Sequence, residues 1–174
     1  EMARFDAINP DHLVRHQYYI RIIENSRRSI SAFRNDPSNT TNFLRVVQLY
    51  NGMRKTNELR EAIKNYSENS ETNRINLTAI KNAYDLIGDW EGKLRADLQL
   101  TKHAPDSYAA WFDLSQTHIR LKHTNESTQA MLRALVLFEN SEIKIPDIMP
   151  ILRTNALLKP LREQPEIKKF LENN

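Results

Sequence analysis

The sequence has no cysteine, which excludes disulfide bonds and metal sites built on thiolates. It has three glycines among 174 residues, too few for the many special turns of an all-β fold or for a glycine-rich phosphate loop. The longest purely apolar run is Ala134–Phe138, whereas a membrane-spanning helix needs about 20 apolar residues. We therefore expect no membrane insertion by this chain.

The sequence also lacks a large excess of positive or of negative charge. Lys and Arg number 25 against 22 Asp and Glu, which gives a net charge of +3 spread thinly along the chain. Nucleic-acid binding needs a concentrated basic face, so we expect no nucleic-acid partner. No signal peptide is visible, and a start at Glu1 suggests a piece of a longer protein. The pattern does not indicate whether that protein is cytoplasmic or periplasmic.

The main feature of the sequence is an internal repeat. Three blocks of 34 residues, 40–73, 74–107 and 108–141, align without a gap. Matching positions carry similar side chains: Phe43, Leu77 and Trp111; Val46, Ile80 and Leu114; Tyr50, Tyr84 and His118. A fixed period of this length predicts a solenoid of antiparallel helical hairpins, and hence an all-α fold in one domain.

Apolar spacing and turn residues divide each block into two helices. The predicted helices are 42–53, 58–69, 75–87, 90–103, 108–122 and 126–139. Residues 1–39 precede the blocks, and 11–34 are either one continuous helix or two helices of a degenerate repeat. We favour the degenerate repeat, because Ala32, Phe33 and Pro37 match repeat positions.

Prolines cut the tail, 142–174, into short helical pieces predicted near 146–154, 157–162 and 165–172. The last repeat of a solenoid exposes an apolar face, which an atypical terminal element usually covers. Apolar residues such as Ile148, Leu152, Leu161 and Ile167 equip the tail for this task. We therefore predict a C-terminal capping segment.

The blocks resemble tetratricopeptide repeats (TPRs). The residues that carry the likeness are Trp111, Leu114, Ser115, Ala134 and Leu135 in the third block and Leu77, Ile80, Tyr84, Gly88, Trp90 and Pro105 in the second. The resemblance implies a right-handed α-solenoid. It also implies small residues at positions that Val47, Lys81 and Lys93 occupy here, which puts the angles between hairpins in question.

In this family the first helix of each hairpin lines a concave groove that holds proteins or peptides. By position, the groove residues are Leu44, Gln48, Asn51, Thr78, Asn82, Asp85, Phe112, Gln116 and Arg120. Gln48, Asn82 and Gln116 form a ladder of amides, which both donate and accept hydrogen bonds and so suit an extended peptide backbone. The alternative is that these amides are merely solvated.

The sequence gives little support for a catalytic or metal-binding site. His12 and His16 lie four residues apart, but no third ligand is near, so we expect neither a metal nor a cofactor. We expect His118 to be half-buried, Trp90 and Trp111 to lie in the core, and no residue to be catalytic. The sequence thus favours a non-catalytic protein-interaction or scaffolding module. The second hypothesis is a C-terminal accessory domain of a larger, possibly membrane-embedded, bacterial enzyme.

Overall fold

The computed structural model describes residues 10–173, with side chains from residue 14 onward. Within that range the chain is helical throughout and contains no strand. The helices are α1 (Pro10–Asn35), α2 (Thr40–Gly52), α3 (Thr56–Asn69), α4 (Arg74–Ile87), α5 (Trp90–His103), α6 (Tyr108–Arg120), α7 (Thr124–Glu139), α8 (Met149–Thr154), α9 (Lys159–Arg162) and α10 (Pro165–Asn173). A 3₁₀ turn, Ala156–Leu158, precedes α9. The all-α expectation is confirmed.

Short polar side chains start four of these helices. Asn39, Asn73, Asp89 and Ser107 each accept a hydrogen bond from the backbone N–H three residues later, at 2.8 to 3.3 Å. This contact satisfies one of the amide groups that a helix leaves unpaired in its first turn. The caps fix where α2, α4, α5 and α6 begin, and these starts lie within two residues of the predicted ones.

The turns inside the three hairpins share a backbone conformation. Arg54, Gly88 and Lys122 follow one another at the repeat spacing, and their φ angles are 56°, 67° and 63°. A left-handed residue ends a helix sharply, but only glycine adopts it without steric cost. The structure therefore keeps the same turn in all three hairpins, although only the second has glycine at this position.

Successive helices pack side by side from α1 to α7, and α2 also contacts α4. The pairs α2–α3, α4–α5 and α6–α7 are antiparallel hairpins that stack into a right-handed, TPR-like solenoid. Because the hairpins stack in sequence order, the first helices α2, α4 and α6 follow one another along the same side of the stack.

Over the residues that the structure describes, the N-terminal segment forms a single helix, α1. The preference for two helices of a degenerate repeat was wrong, since α1 runs unbroken for 26 residues. No proline or glycine follows Pro10 within α1, so nothing in its sequence breaks the helix. Only its last turns pack against the hairpins, where Phe33 is buried beside Phe43 with ring centroids 6.1 Å apart.

Buried apolar residues form two clusters. One joins the end of α1 to α2–α5 and contains the stacked rings of Phe43 and Tyr66, whose centroids are 4.0 Å apart. The other joins α6 and α7 to the tail and includes Leu135, Phe138 and the fully buried Ile148. The predicted C-terminal cap is therefore present, because α8 to α10 and the 3₁₀ turn supply a large part of the second cluster.

Candidate functional site

A polar cleft opens between α4, α5 and α6. Its volume is about 230 Å³, and it is lined by Lys81, Asn82, Asp85, Lys93, Asp113, Gln116, Thr117 and Arg120. Residues at spacings of three and four on α4 and α6 face it, as helix geometry requires. The side of the stack that the first helices form thus contains a pocket whose donors and acceptors come from three helices.

The floor of the cleft is a buried ion pair. Lys93 Nζ donates to Asp97 Oδ2 at 2.9 Å and to Thr117 Oγ1 at 2.7 Å. The Thr117 hydroxyl donates in turn to Asp97 Oδ2 at 2.6 Å. All three residues are buried, and Asp97 is fully so. The network joins α5 to α6, so the floor is held by both hairpins.

The partners of the buried Asp97 compensate its negative charge only in part. Loss of solvation raises the pKa of its carboxyl above the usual value, while the charge of Lys93 and the Thr117 hydrogen bond oppose that shift. Among the described residues no donor lies within hydrogen-bonding distance of Asp97 Oδ1. Breaking the pair would therefore leave a buried charge, which is much costlier than losing an exposed one.

Two contacts shape the rim. Lys81 of α4 forms an ion pair with Asp113 of α6, which ties the neighbouring first helices together. The guanidinium of Arg120 lies 4.3 Å from the ring centroid of Trp90, at the start of α5. A cation over an indole face is attracted by the ring electrons, so this contact orients Arg120 at the edge of the cleft.

The structure brings four of the nine predicted groove residues together: Asn82, Asp85, Gln116 and Arg120 line the cleft. Leu44, Gln48 and Asn51 are exposed on α2 but do not line it. The half-buried Thr78 hydroxyl donates to the Arg74 carbonyl one turn earlier, at 2.7 Å. Two members of the amide ladder therefore face the cleft, and Gln48 lies on the helix next to it.

Two aromatic residues lie elsewhere than expected. Phe112 was expected in the open groove but is 3% exposed, because it belongs to the apolar cluster that the tail completes. Trp111 was expected in the core but is only half-buried, with its indole N–H donating to the Pro105 carbonyl at 2.8 Å. Trp90 is likewise half-buried, beneath Arg120.

The repeat pattern did not reveal the ion pairs. Lys81 and Lys93 stood out as departures from the small residues of the family, but their partners Asp113 and Asp97 were not singled out. The spacing of four between Lys93 and Asp97 is a local signal for a helical ion pair and could have revealed it. Asp113 and Thr117 come from the next hairpin, and no local pattern predicts such contacts.

Histidines give no metal site among the described residues, where no group of three or more candidate ligands occurs. The His12 side chain lies outside the described set, and His16 is exposed. His118 is 9% exposed, with its Nδ1 atom 3.5 Å from Nδ1 of His123. Burial lowers the pKa of His118 below its usual value, and the nearby His123 lowers it further.

Comparison with known proteins supports the architecture. No protein-family model matches the sequence, and no curated protein matches it. Among solved structures the chain is similar to the crystal structure of MamA, a TPR-like protein, at 15% sequence identity and a TM-score of 0.56. The match covers 84% of this chain and 82% of MamA. At this identity the likeness establishes a TPR-like helical-repeat fold and carries no residue roles.

None of the helices within residues 10–173 combines the length and the apolar character needed to cross a bilayer. The longest, α1, carries arginines throughout its described part.

Proposed function

We propose that the chain is a non-catalytic protein-interaction module that binds an extended segment of a partner protein at the polar cleft. The observation that carries this proposal is the convergence of Asn82, Asp85, Gln116 and Arg120 on one open pocket of the concave face. Solenoids present such concave surfaces to other proteins, and MamA supplies a structural precedent for the architecture alone.

The chemistry of the cleft suits a peptide main chain. The amides of Asn82 and Gln116 can each donate to a backbone carbonyl and accept from a backbone N–H. Asp85 can accept from a further donor, and Arg120 is held in position by Trp90. Because Lys81 pairs with Asp113, cationic and anionic side chains nearly balance, so we expect only a mild dependence of affinity on salt.

The burial of Phe112 changes the size of the proposed site. Its ring lies in the cluster that the tail completes, so an apolar side chain of the ligand cannot pack on it. The site therefore ends near Gln116 and Arg120 and extends toward α2, where Gln48 and Leu44 are exposed. The accessory-domain hypothesis stays a prediction, since no contact of the described residues bears on a larger enzyme.

The test is selection of peptides from a displayed random library on the immobilised chain, followed by calorimetric titration. Asn82→Ala and Gln116→Ala should each weaken the selected peptides by about 1–3 kcal/mol, the cost of an unpaired buried hydrogen-bonding group. The matched control is Gln129→Ala, which removes an exposed amide from α7. Equal affinity of all four proteins would refute the proposed site.

A further inference from the structure

An asparagine–glycine pair ends the first helix of the first hairpin. Asn51 and Gly52 are the last two residues of α2, and both are exposed. The sequence contains this pair at no other place. Because glycine has no Cβ, the backbone nitrogen of Gly52 is open to the side chain that precedes it. The pair is therefore the point of the chain at which an asparagine side chain reaches its own backbone with least steric hindrance.

Asparagines at two other helix ends are held by hydrogen bonds. Asn69 ends α3, and its side-chain N–H donates to the Asn65 carbonyl at 2.7 Å. Asn140 follows α7, and its side-chain N–H donates to the Val136 carbonyl at 2.9 Å. Among the described residues the Asn51 side chain has no such partner. Its amide is thus free to rotate toward the following residue, whereas the other two amides are held back along their own helices.

The end of α2 must open before the two groups can meet. In the helix the Gly52 N–H points to the carbonyl one turn earlier, so the backbone at Asn51 has to rotate first. The last turn of a helix opens at little cost in free energy. Here the turn continues through Arg54, whose φ of 56° is unfavourable for any residue but glycine. This turn therefore opens more readily than one that a glycine closes.

We infer that Asn51 is a site of spontaneous deamidation, with water as the co-reactant. The Gly52 nitrogen attacks the side-chain carbonyl carbon of Asn51 and forms a C–N bond. The side-chain nitrogen takes up the proton that Gly52 loses and leaves as ammonia. Water then opens the resulting cyclic imide at either carbonyl, which gives aspartate or a β-linked aspartate. Both products place a new negative charge at the end of α2, whether or not a peptide binds at the cleft.

The modification alters the turn between α2 and α3. A negative charge is unfavourable beside the carbonyls that end a helix. In the intact chain the Asn51 carbonyl also accepts a hydrogen bond from the Arg54 N–H at 3.0 Å. The β-linked product carries the chain through the former side chain and displaces this carbonyl, so that hydrogen bond is lost. We expect faster amide hydrogen exchange in this turn after modification.

The experiment incubates the folded whole chain at mildly alkaline pH and maps the products by mass spectrometry against an unincubated sample. Trypsin releases 46–54, in which Asn51 is the sole asparagine, and 134–144, in which Asn140 is. We expect 46–54 to gain about 1 Da at least about tenfold faster than 134–144, with aspartate and β-linked aspartate both present. Asn140 is the matched control, because it is also exposed at a helix end but precedes a serine.

Gly52→Ala tests the mechanism without disturbing the fold. A Cβ at this position meets no atom within 4 Å, and the residue is helical, so α2 accommodates alanine. We expect the modification of Asn51 to slow at least about tenfold, with the helix content by circular dichroism unchanged. Equal rates at Asn51 and Asn140, aspartate as the sole product, or an unchanged rate in the Gly52→Ala variant would overturn the inference.

Discussion

The same repeat position is filled by Leu59 in the first hairpin and by Lys93 in the second, and both residues are buried. Leu59 packs into the apolar cluster of α2 to α5, where it needs no polar partner. Lys93 needs two, and it finds them in Asp97 and Thr117. The comparison shows that a buried side chain at one repeat position can be stabilised either by apolar packing or by an ion pair. Only the second solution gives the solenoid a polar floor beneath an open cleft.

The third hairpin offers an intermediate case. Ser127 occupies this position and is fully buried, and its hydroxyl donates to the Ser115 carbonyl of α6 at 2.7 Å. Most buried polar groups of the described residues thus lie on α5, α6 and α7, the helices at which the two apolar clusters meet. We interpret the apolar clusters as the scaffold, and the polar cleft between α4, α5 and α6 as the part available for recognition.

Removing the tail should have the largest effect. Deleting 145–174 takes Ile148, Leu152 and Ile167 out of the second cluster and exposes the apolar faces of Leu135 and Phe138. Such a surface drives association. We expect an aggregated or partly unfolded product by size-exclusion chromatography and circular dichroism. A soluble monomer with the helicity of the remaining residues would show that the tail is not part of the scaffold.

Truncating an aromatic residue should reduce the free energy of unfolding more where the ring is fully buried than where it is half-buried. Phe43 is fully buried and stacked on Tyr66, so Phe43→Ala should cost about 3–5 kcal/mol of unfolding free energy. Trp111 occupies the matching position but is half-buried, and Trp111→Ala should cost about half as much. Urea denaturation measures both variants. Equal losses would mean that burial does not distinguish these two hairpins.

Breaking the Lys93–Asp97 ion pair should test whether apolar side chains can replace it. Lys93→Met leaves Asp97 buried and unpaired and should cost about 2–3 kcal/mol, with protonation of the carboxyl limiting the loss. The double variant Lys93→Met with Asp97→Leu should recover most of this stability, as paired replacements in cores often do. The control is Lys102→Met, an exposed lysine near the end of α5. No recovery in the double variant would show that the pair is required for the fold.

The smallest effect concerns His118. Its pKa is lowered in the folded chain, so the unfolded state binds the proton more readily. Stability from this group is therefore present above pH 6.5, the usual value, and is lost as the pH falls below 6.5 and through the lowered pKa of the folded chain. His118→Tyr, which copies the tyrosines at positions 50 and 84, should flatten the decline of the urea midpoint between neutral and mildly acidic pH. The exposed Gln129→Ala, which changes no titrating group, should leave the decline unchanged.

The sequence predicted the helices well and the contacts between them less well. Period, caps and turn residues act locally, so the start of α5 at Trp90 and the turn at Gly88 could be predicted from the sequence alone. The burial of Phe112 depends on where a tail about 40 residues later in the chain comes to lie. The position of Thr117 beside Lys93 depends on the angle between two hairpins, which no local pattern determines.

The central claim is that a partner protein binds at the polar cleft between α4, α5 and α6 rather than elsewhere on the solenoid. The most direct test is a photo-crosslinking amino acid introduced at Gln116 in one protein and at the exposed Gln129 of α7 in another, each produced in its native host cells. We predict a discrete protein adduct from position 116 and none from position 129, with the 116 adduct lost on adding the Asn82→Ala substitution. Adducts of equal yield from both positions, or none from 116 while Tyr18 on α1 gives one, would contradict the account.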